Sequence, residues 1–145
     1  LLSRRSLLAV AAVVDVALHA RPTPVAAKAL AARHDLPPRH LETMLQDLVR
    51  AGVLKGVRGP RGGYELARER RRISAGDVVR AVMTSGDDEA QPQSRLVVEV
   101  IHPAVARAAQ AFLAVLDHLT IEELCVEAEA RRVFDLKAGA DDYAI

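Results

Sequence analysis

Residues 36–68, LPPRHLETMLQDLVRAGVLKGVRGPRGGYELAR, decide the fold of this chain. The first part opens at Pro38 and runs at helical spacing to Gly52, which suits the left-handed residue that follows a helix. The inner face of this helix is predicted to contain Leu41, Met44 or Leu45, and Leu48. Two short extended runs follow, GVLKGVR and YELAR, and the Gly- and Pro-rich loop GPRGG between them predicts a β-hairpin.

Two more helices are predicted before this stretch. The first covers about residues 3–20 and would bury an apolar stripe made of Leu7, Ala11, Val14 and Leu18. The second covers about residues 24–33, with Thr23 as N-cap and Pro24 in its first turn. The turn HDLPP joins it to the third helix, which makes a helix-turn-helix. A helix-turn-helix followed directly by a hairpin is the winged variant of that motif.

The rest of the chain is predicted to be helical. ISAGDVVRAV is typical of a helix capped by Ser74 and Asp77, and TIEELCVEAEARRVF of a final helix with Thr120 as N-cap. The expected fold class is mostly α, with a small β-hairpin wing. The predicted organisation is a winged helix-turn-helix domain at 1–83, a linker at 84–94, dimerisation helices at 95–136 and a tail at 137–145.

A heptad-like apolar seam runs along the helix after the linker. Its members alternate spacings of four and three: Val105, Ala109, Phe112, Leu116 and Leu119. Pro103 lies either in the first turn of this helix or at a kink in a longer one. The seam can pack on its own chain or on a second copy. We favour a homodimer, because a small chain has little else to cover such a helix and helix-turn-helix proteins commonly dimerise to read two half-sites.

Composition and charge limit the possible partners. The chain has 145 residues with one cysteine, which excludes an intramolecular disulfide and a Cys-rich metal site and fits a reducing, cytoplasmic compartment. The net charge of +1 hides an asymmetry, since residues 28–72 carry 11 basic and 5 acidic side chains whereas residues 73–145 carry 6 and 13. A basic front half indicates a polyanionic partner.

The N-terminal segment allows a second interpretation. SRRSLLAVAAVVDVALHA has the paired arginines and apolar run of a twin-arginine export signal. Asp15 interrupts that run, and we interpret the segment as the first helix. No uncharged apolar run of about 18 residues occurs, so no membrane-spanning segment is expected.

The outward face of the third helix carries side chains that can read bases. Arg pairs with guanine, Gln with adenine, Glu accepts from cytosine and Thr contacts the thymine methyl group. The candidates are Arg39, His40, Glu42, Thr43 and Gln46 for bases, and Arg50 and Lys55 for phosphates. Any solvated helix presents a polar face, so this interpretation depends on the adjacent wing.

Arginines flank the tip of the predicted wing. Arg58 and Arg61 lie on either side of Gly59 and Pro60, and a loop of this kind can insert an arginine into a minor groove. The two glycines after Arg61 would permit close backbone approach or positive φ. A phosphate-binding P-loop is excluded, because no Lys and Ser/Thr follow these glycines into a helix.

No enzyme or metal site is predicted. Cys125 lies at helical spacing from Ile121, Leu124 and Ala128, which favours a core position, with a thiol sensor as the alternative. No catalytic motif ties a histidine to this cysteine. The five histidines show no spacing typical of metal ligands: His19, His34, His40, His102 and His118.

Residues 36–68, with SLLAVAAVV, ISAGDVVRAV and FLAVLDHLTIEELC, resemble the Rrf-two family of bacterial winged-helix transcription regulators over essentially the whole chain. The resemblance implies a homodimer with a long helix near the C-terminus at its interface. It also implies base contacts from Arg39, Glu42 and Thr43, and insertion of Arg58 into the minor groove. Pro37 departs from the family pattern, in which a serine often caps the recognition helix, and His40 stands where tyrosine is common.

The sensor region departs further from the family. Cluster-binding members carry three cysteines between the fourth helix and the dimer helix, whereas SGDDEAQPQSRLVVEVIHP here has none. Because thiolates hold such clusters, no iron–sulfur cluster is expected by that route. The signal would then be a small molecule, a partner protein or oxidation of Cys125.

The expected function is that of a cytoplasmic, homodimeric regulator, a repressor, that reads double-stranded DNA at a dyad operator. The alternative is a winged-helix protein-interaction module that does not bind DNA. The basic segment 28–72 argues against that alternative.

Overall fold

The computed structural model describes residues 2–83 and 94–134. The helices and strands are α1 (Arg4–His19), α2 (Ala27–His34), α3 (Pro38–Arg50), β1 (Leu54–Val57), β2 (Gly63–Leu66), α4 (Ala75–Met83), α5 (His102–Leu116) and α6 (Ile121–Ala130). This order confirms a mostly helical winged helix-turn-helix with a two-stranded antiparallel wing. The predicted linker, apart from Ser94, and the predicted tail at 137–145 lie outside the described residues.

The hydrophobic core surrounds α1, which contacts α3, α4, α6 and β2. Its fully buried side chains come from α1, from the helix-turn-helix and from the residues around α4: Val13, Val16, Leu30, Leu41, Leu45, Leu48, Ile73 and Val78. Both Met44 and Leu45 are buried, so α3 supplies four core residues where the spacing predicted three. The helix-turn-helix is therefore held on α1 by apolar packing.

The predicted apolar stripe of α1 is wrong in its orientation. Leu7 is 56% exposed and the other three predicted members are half-buried. The buried face instead contains Ala9, Ala12, Val13 and Val16. Because α1 is apolar around most of its circumference, its spacing fits more than one stripe, and the face with the small alanines allows the closest approach of neighbouring helices.

The predicted start of α2 at Thr23 and Pro24 is also wrong. The helix begins at Ala27, and Ala26 at its N-cap makes no side-chain capping bond. Val25 instead forms an antiparallel bridge with Tyr64 of β2, with N–H to O distances of 2.9 and 2.8 Å in the two directions. This tertiary pairing holds the preceding residues extended and delays the helix, although Thr23 and Pro24 have the local propensity to start one.

The predicted capping pairs are confirmed. Ser74 Oγ accepts from Asp77 N–H at 3.0 Å, and Asp77 Oδ2 accepts from Ser74 N–H at 3.1 Å. Thr120 and Glu123 form the same reciprocal box at the start of α6. Gly52 follows α3 with φ 76°, in the left-handed region that glycine favours.

Residues 95–134 form an arm that joins the core through Ile121 and Cys125 of α6. A π-helical turn at Val97–Ile101 runs directly into α5, so Pro103 lies in the first turn of α5 but inside a longer helical segment. No residue of α5 is buried. Large apolar side chains of this segment are exposed: Leu96, Val98, Val100, Ile101, Val105 and Val115.

The stretch Val97–Leu116 has 20 residues and a mean hydropathy of 1.2, long and apolar enough to cross a membrane by length and composition alone. Glu99 and Arg107 interrupt it, which is why the sequence showed no uncharged run of that length. None of the stretch is buried in the single chain. It is thus a large apolar surface that the described part of the chain leaves uncovered.

The far end of α5 packs on the winged domain. Ala75 N–H donates to Leu119 O at 2.7 Å, and Ile121 N–H donates to Ile73 O at 2.8 Å. Both terminal nitrogens of Arg80 in α4 also donate to the two carboxylate oxygens of Asp117. Phe112, Leu116 and Leu119 are accordingly half-buried, whereas Val105 and Ala109 are exposed. The predicted seam is covered by its own chain only at its C-terminal end.

Candidate nucleic-acid interface

Helix α3 presents one polar face to solvent. Its four buried side chains lie on the core side, and all of its predicted DNA contacts are exposed: Arg39, His40, Glu42, Thr43, Gln46 and Arg50. Pro38 occupies the first turn, and Pro37 at the N-cap makes no side-chain bond to the helix. The first turn therefore keeps unsatisfied N–H groups and adjacent cationic side chains at the surface.

The second half of α3 carries an internal charge network. Asp47 Oδ2 accepts from Arg5 Nη2 at 2.7 Å, and Asp47 Oδ1 lies 3.4 Å from Arg50 Nη2. Arg5 belongs to α1, so this network ties the recognition helix to α1. Arg50, predicted to bind a phosphate, is engaged with a carboxylate in the free protein, although its side chain remains 73% exposed.

The tip of the wing is a tight turn. Gly62 N–H donates to Gly59 O at 2.9 Å, which places Pro60 and Arg61 at the two central positions. Gly59 has φ 116°, and a Cβ on Gly62 would lie 2.3 Å from Val57 O. Both glycines are therefore required by backbone geometry. Arg58 and Arg61 project from a turn whose backbone is fixed.

The base of the wing is anchored to the rest of the domain. The β1–β2 pair is extended on one side by the Val25–Tyr64 bridge. A Cβ on Gly63 would lie 2.3 Å from Val25 O, so only glycine permits this approach. Lys55, predicted to bind a phosphate, forms an ion pair with Glu65 across the two strands at 3.0 Å.

The predicted cations thus divide into two groups. Arg50 and Lys55 have carboxylate partners, whereas Arg39, Arg58 and Arg61 have none among residues 2–83 and 94–134. Unpaired guanidinium groups at the start of α3 and at the wing tip can bind phosphates or base edges without first breaking an ion pair. The structure does not test the individual DNA contacts, which stay predictions.

A buried carboxylate next to this surface was missed in the sequence. Asp15 of α1 is 0% exposed. Arg33 holds it with Nε to Oδ2 at 2.8 Å and Nη2 to Oδ1 at 2.6 Å. His34 Nε2 lies 2.8 Å from Oδ2, and His19 Nδ1 lies 3.1 Å from Oδ1. The signal was a single acidic residue inside an apolar run, which we interpreted only as an interruption.

The environment of Asp15 keeps it ionised. Burial alone would raise its pKa, but the hydrogen bonds from His34 and Arg33, together with the charges of Arg33 and His19, lower the pKa to about 2. The structure brings His19 and His34 together at one carboxylate, but the Arg33 guanidinium occupies the centre of the cluster. Within the described residues, no three histidine, cysteine or acidic side chains are arranged to hold a metal ion.

Cys125 lies inside α6 and is fully buried, as predicted for a core residue. Burial raises the pKa of its thiol, and the nearby Arg70 guanidinium only partly offsets that effect. A protonated, buried thiol reacts slowly with oxidants. This environment supports a packing role for Cys125 and does not favour the sensor alternative.

A winged domain with this geometry has known counterparts. A profile of the Rrf2 family, described as an iron-dependent transcriptional regulator, matches residues 2–127. The chain belongs to the Rrf2 family. Its members are regulators and not enzymes, and this Rrf2 protein is a DNA-binding transcriptional regulator with a helix-turn-helix.

Individual Rrf2 proteins are similar over most of the chain. The HTH-type transcriptional regulator IscR of Aliivibrio salmonicida is 32% identical over 134 residues, which cover 88% of this chain and 78% of that protein. The solved structure of T. potens IscR is 31% identical, covers 90% of both chains and superposes with a TM-score of 0.68. CymR, the global cysteine regulator of B. subtilis, is 25% identical with a TM-score of 0.65, covering 88% of this chain and 97% of CymR.

The family description raises the question of an iron cofactor. An iron–sulfur cluster in proteins is held mainly by thiolates. This sequence contains one cysteine, Cys125, which is buried in α6 and has a raised pKa. These residues do not fit a cluster held by several cysteines of one chain.

Proposed function

We propose that this Rrf2 protein is a homodimeric repressor that reads a dyad operator through α3 in the major groove and the wing in the minor groove. The observation that carries the proposal is that exposed arginines without a carboxylate partner in the described residues lie at two rigid places, the start of α3 and the wing tip. Arg39 stands in the first turn of α3, and Arg58 and Arg61 flank the fixed wing turn. A helix and a loop that project together from one domain suit adjacent grooves of a duplex.

The proposed dimer is formed by the exposed part of the arm. Val105 and Ala109 of the predicted seam are exposed, and Ile101 and Val115 add to the same apolar surface. A contiguous apolar surface of this kind is rare on a monomer and is commonly covered by a partner. A second copy would cover both arms at once and set two winged domains side by side, as a dyad operator requires.

Selection from a random duplex pool tests this function. We expect a dyad motif whose binding weakens steeply as salt rises, because several cationic side chains displace counterions from the DNA. A pool that shows no enrichment even at low salt would overturn the proposal and favour a protein-interaction module.

We further propose that the regulator acts in the cytoplasm without an iron–sulfur cluster, and that its signal is a small molecule or a partner protein. The support is the single buried cysteine. Anaerobic reconstitution with iron and sulfide should leave the protein without visible cluster absorption. A stoichiometric, protein-bound cluster would overturn this part of the proposal.

A further inference from the structure

We propose that Asp15 is a positioning residue for DNA recognition. Its buried carboxylate fixes α2 relative to α1 and thereby sets the angle at which α3 presents its base-reading side chains. This inference rests on the proposed function, because it assumes that α3 reads bases.

The cluster bridges two helices that otherwise make few close contacts. The main backbone neighbour of α2 is α3, and α1 is not among the elements that approach α2 closely. The helix has eight residues, only Leu30 and Ala31 of which are buried, and its N-cap makes no side-chain bond. The hydrogen bonds from Arg33 and His34 to Asp15 therefore form a direct polar link from α2 to α1.

Any rotation of α2 is transmitted to α3. The two helices contact each other and are joined by three residues. Asp35 ends α2 in the left-handed conformation with φ 54°, and Leu36 N–H donates back to Ala31 O at 3.0 Å. A short connection of this geometry makes α2 and α3 turn together, and the Arg5–Asp47 bond supplies a second polar tie from α1 to α3.

Directional bonds determine an angle more narrowly than apolar packing does. The guanidinium fork of Arg33 meets both carboxylate oxygens of Asp15, an arrangement that permits one relative orientation. A buried ion pair of this kind can often be replaced by apolar residues without loss of stability. We therefore expect the Asp15–Arg33 pair to fix the orientation of α2 more than it raises the stability of the fold.

The test compares binding to the selected operator with binding to a random duplex of equal length. Non-specific binding depends on charge and is insensitive to the angle of α3, whereas operator binding depends on that angle. The variant Asp15→Leu/Arg33→Met removes both charges together, so it keeps the net charge. Arg33→Lys keeps the positive charge and loses the fork, and it serves if the double variant does not fold.

We expect both folded variants to bind random duplex like the wild type, and to lose at least about fivefold in the operator-to-random ratio, the lower range for one misplaced base contact. The control Glu127→Gln breaks an exposed carboxylate–arginine pair on α6, at 2.7 Å from Arg131, and should leave the ratio unchanged. A wild-type ratio retained in either folded variant would overturn the positioning role. A wild-type protein that does not discriminate operator from random duplex would instead overturn the proposed function on which this inference rests.

Discussion

Helices α3 and α5 have similar lengths and the same kind of apolar spacing, yet they end in opposite environments. Of the 13 residues of α3, Leu41, Met44, Leu45 and Leu48 are buried, whereas none of the 15 residues of α5 is. Helix α3 has α1, α2, α4 and β1 around it, whereas the main neighbours of α5 within residues 2–83 and 94–134 are α4 and the preceding π-helical turn. The pattern of apolar residues therefore shows that one face of a helix must be covered. The surrounding structure decides whether the same chain or a second copy covers it.

The largest expected effect comes from placing a charge on the uncovered helix. Val105→Asp should raise the dissociation constant of the dimer by about 100-fold or more, because a symmetric interface loses two buried valines and gains two buried carboxylates. Affinity for a dyad operator should fall with it, since two linked half-sites no longer act together. Sedimentation velocity over a concentration series measures the first effect.

The matched control lies on the opposite face of the same helix. Ala114 is exposed and lies on the face of the helix opposite the seam, so Ala114→Asp introduces the same charge without touching the proposed interface. If Ala114→Asp dissociates the dimer while Val105→Asp remains dimeric, the interface lies elsewhere on α5.

The next largest effect concerns the winged domain, whose apolar faces are covered by other parts of the same chain. Gly63→Ala should lower the free energy of unfolding by about 2–4 kcal/mol, because its Cβ would lie 2.3 Å from Val25 O and the residue has φ 157°. Urea unfolding measures this loss. Gly56 lies on the neighbouring strand with nothing within 4 Å of its Cβ position, so Gly56→Ala should cost less than about 1 kcal/mol. Equal losses in the two variants would contradict the close approach of the wing to Val25.

A smaller effect should separate DNA reading from assembly. Arg58→Ala should weaken operator binding by about 1–3 kcal/mol and relax the preference at one minor-groove position, with the dimer and the thermal midpoint unchanged. Titration against the operator and its single-base variants measures both changes.

Lys55→Ala provides the comparison for Arg58. Because Lys55 is already paired with Glu65, its removal should cost less binding and change the salt dependence less than removal of Arg58. Affinity unchanged in Arg58→Ala would exclude insertion of this arginine into the minor groove.

Local rules predicted most of the winged domain and the start of α6 correctly from the sequence. The caps at Ser74 and Thr120, the turn after α3 and the hairpin all follow from residues within a few positions of each other. The prediction failed where a distant residue decides the outcome. Val25 pairs with Tyr64, 39 positions later, and this bridge overrides a good helix start at Thr23.

The candidate site was predictable as a set of exposed residues but not as a network. Periodicity places Arg39 and Gln46 outward on α3, and the wing loop places Arg58 at a tip. No local pattern connects Asp15 with Arg33, because the contact joins two helices across a turn of unknown geometry. Whether a cation has a carboxylate partner is likewise a property of the folded chain. The sequence could not show that Lys55 is paired and that Arg58 is not.

The smallest expected effect concerns Cys125, at the point where the arm joins the core. Ile121 and Cys125 are the buried residues of α6, and burial raises the pKa of the thiol. Native Cys125 should therefore react with iodoacetamide at pH 8 at least about tenfold more slowly than an exposed cysteine at the neighbouring position, made as Val126→Cys in a Cys125→Ala background. Peroxide should leave operator affinity unchanged, because the thiol holds the arm by packing and does not respond to oxidants. Two outcomes would contradict this prediction: Cys125 is alkylated as fast as the exposed cysteine, or peroxide causes a loss of operator binding that Cys125→Ala abolishes. Either result would identify Cys125 as a thiol sensor and place the structural change at the junction of α6 with the core.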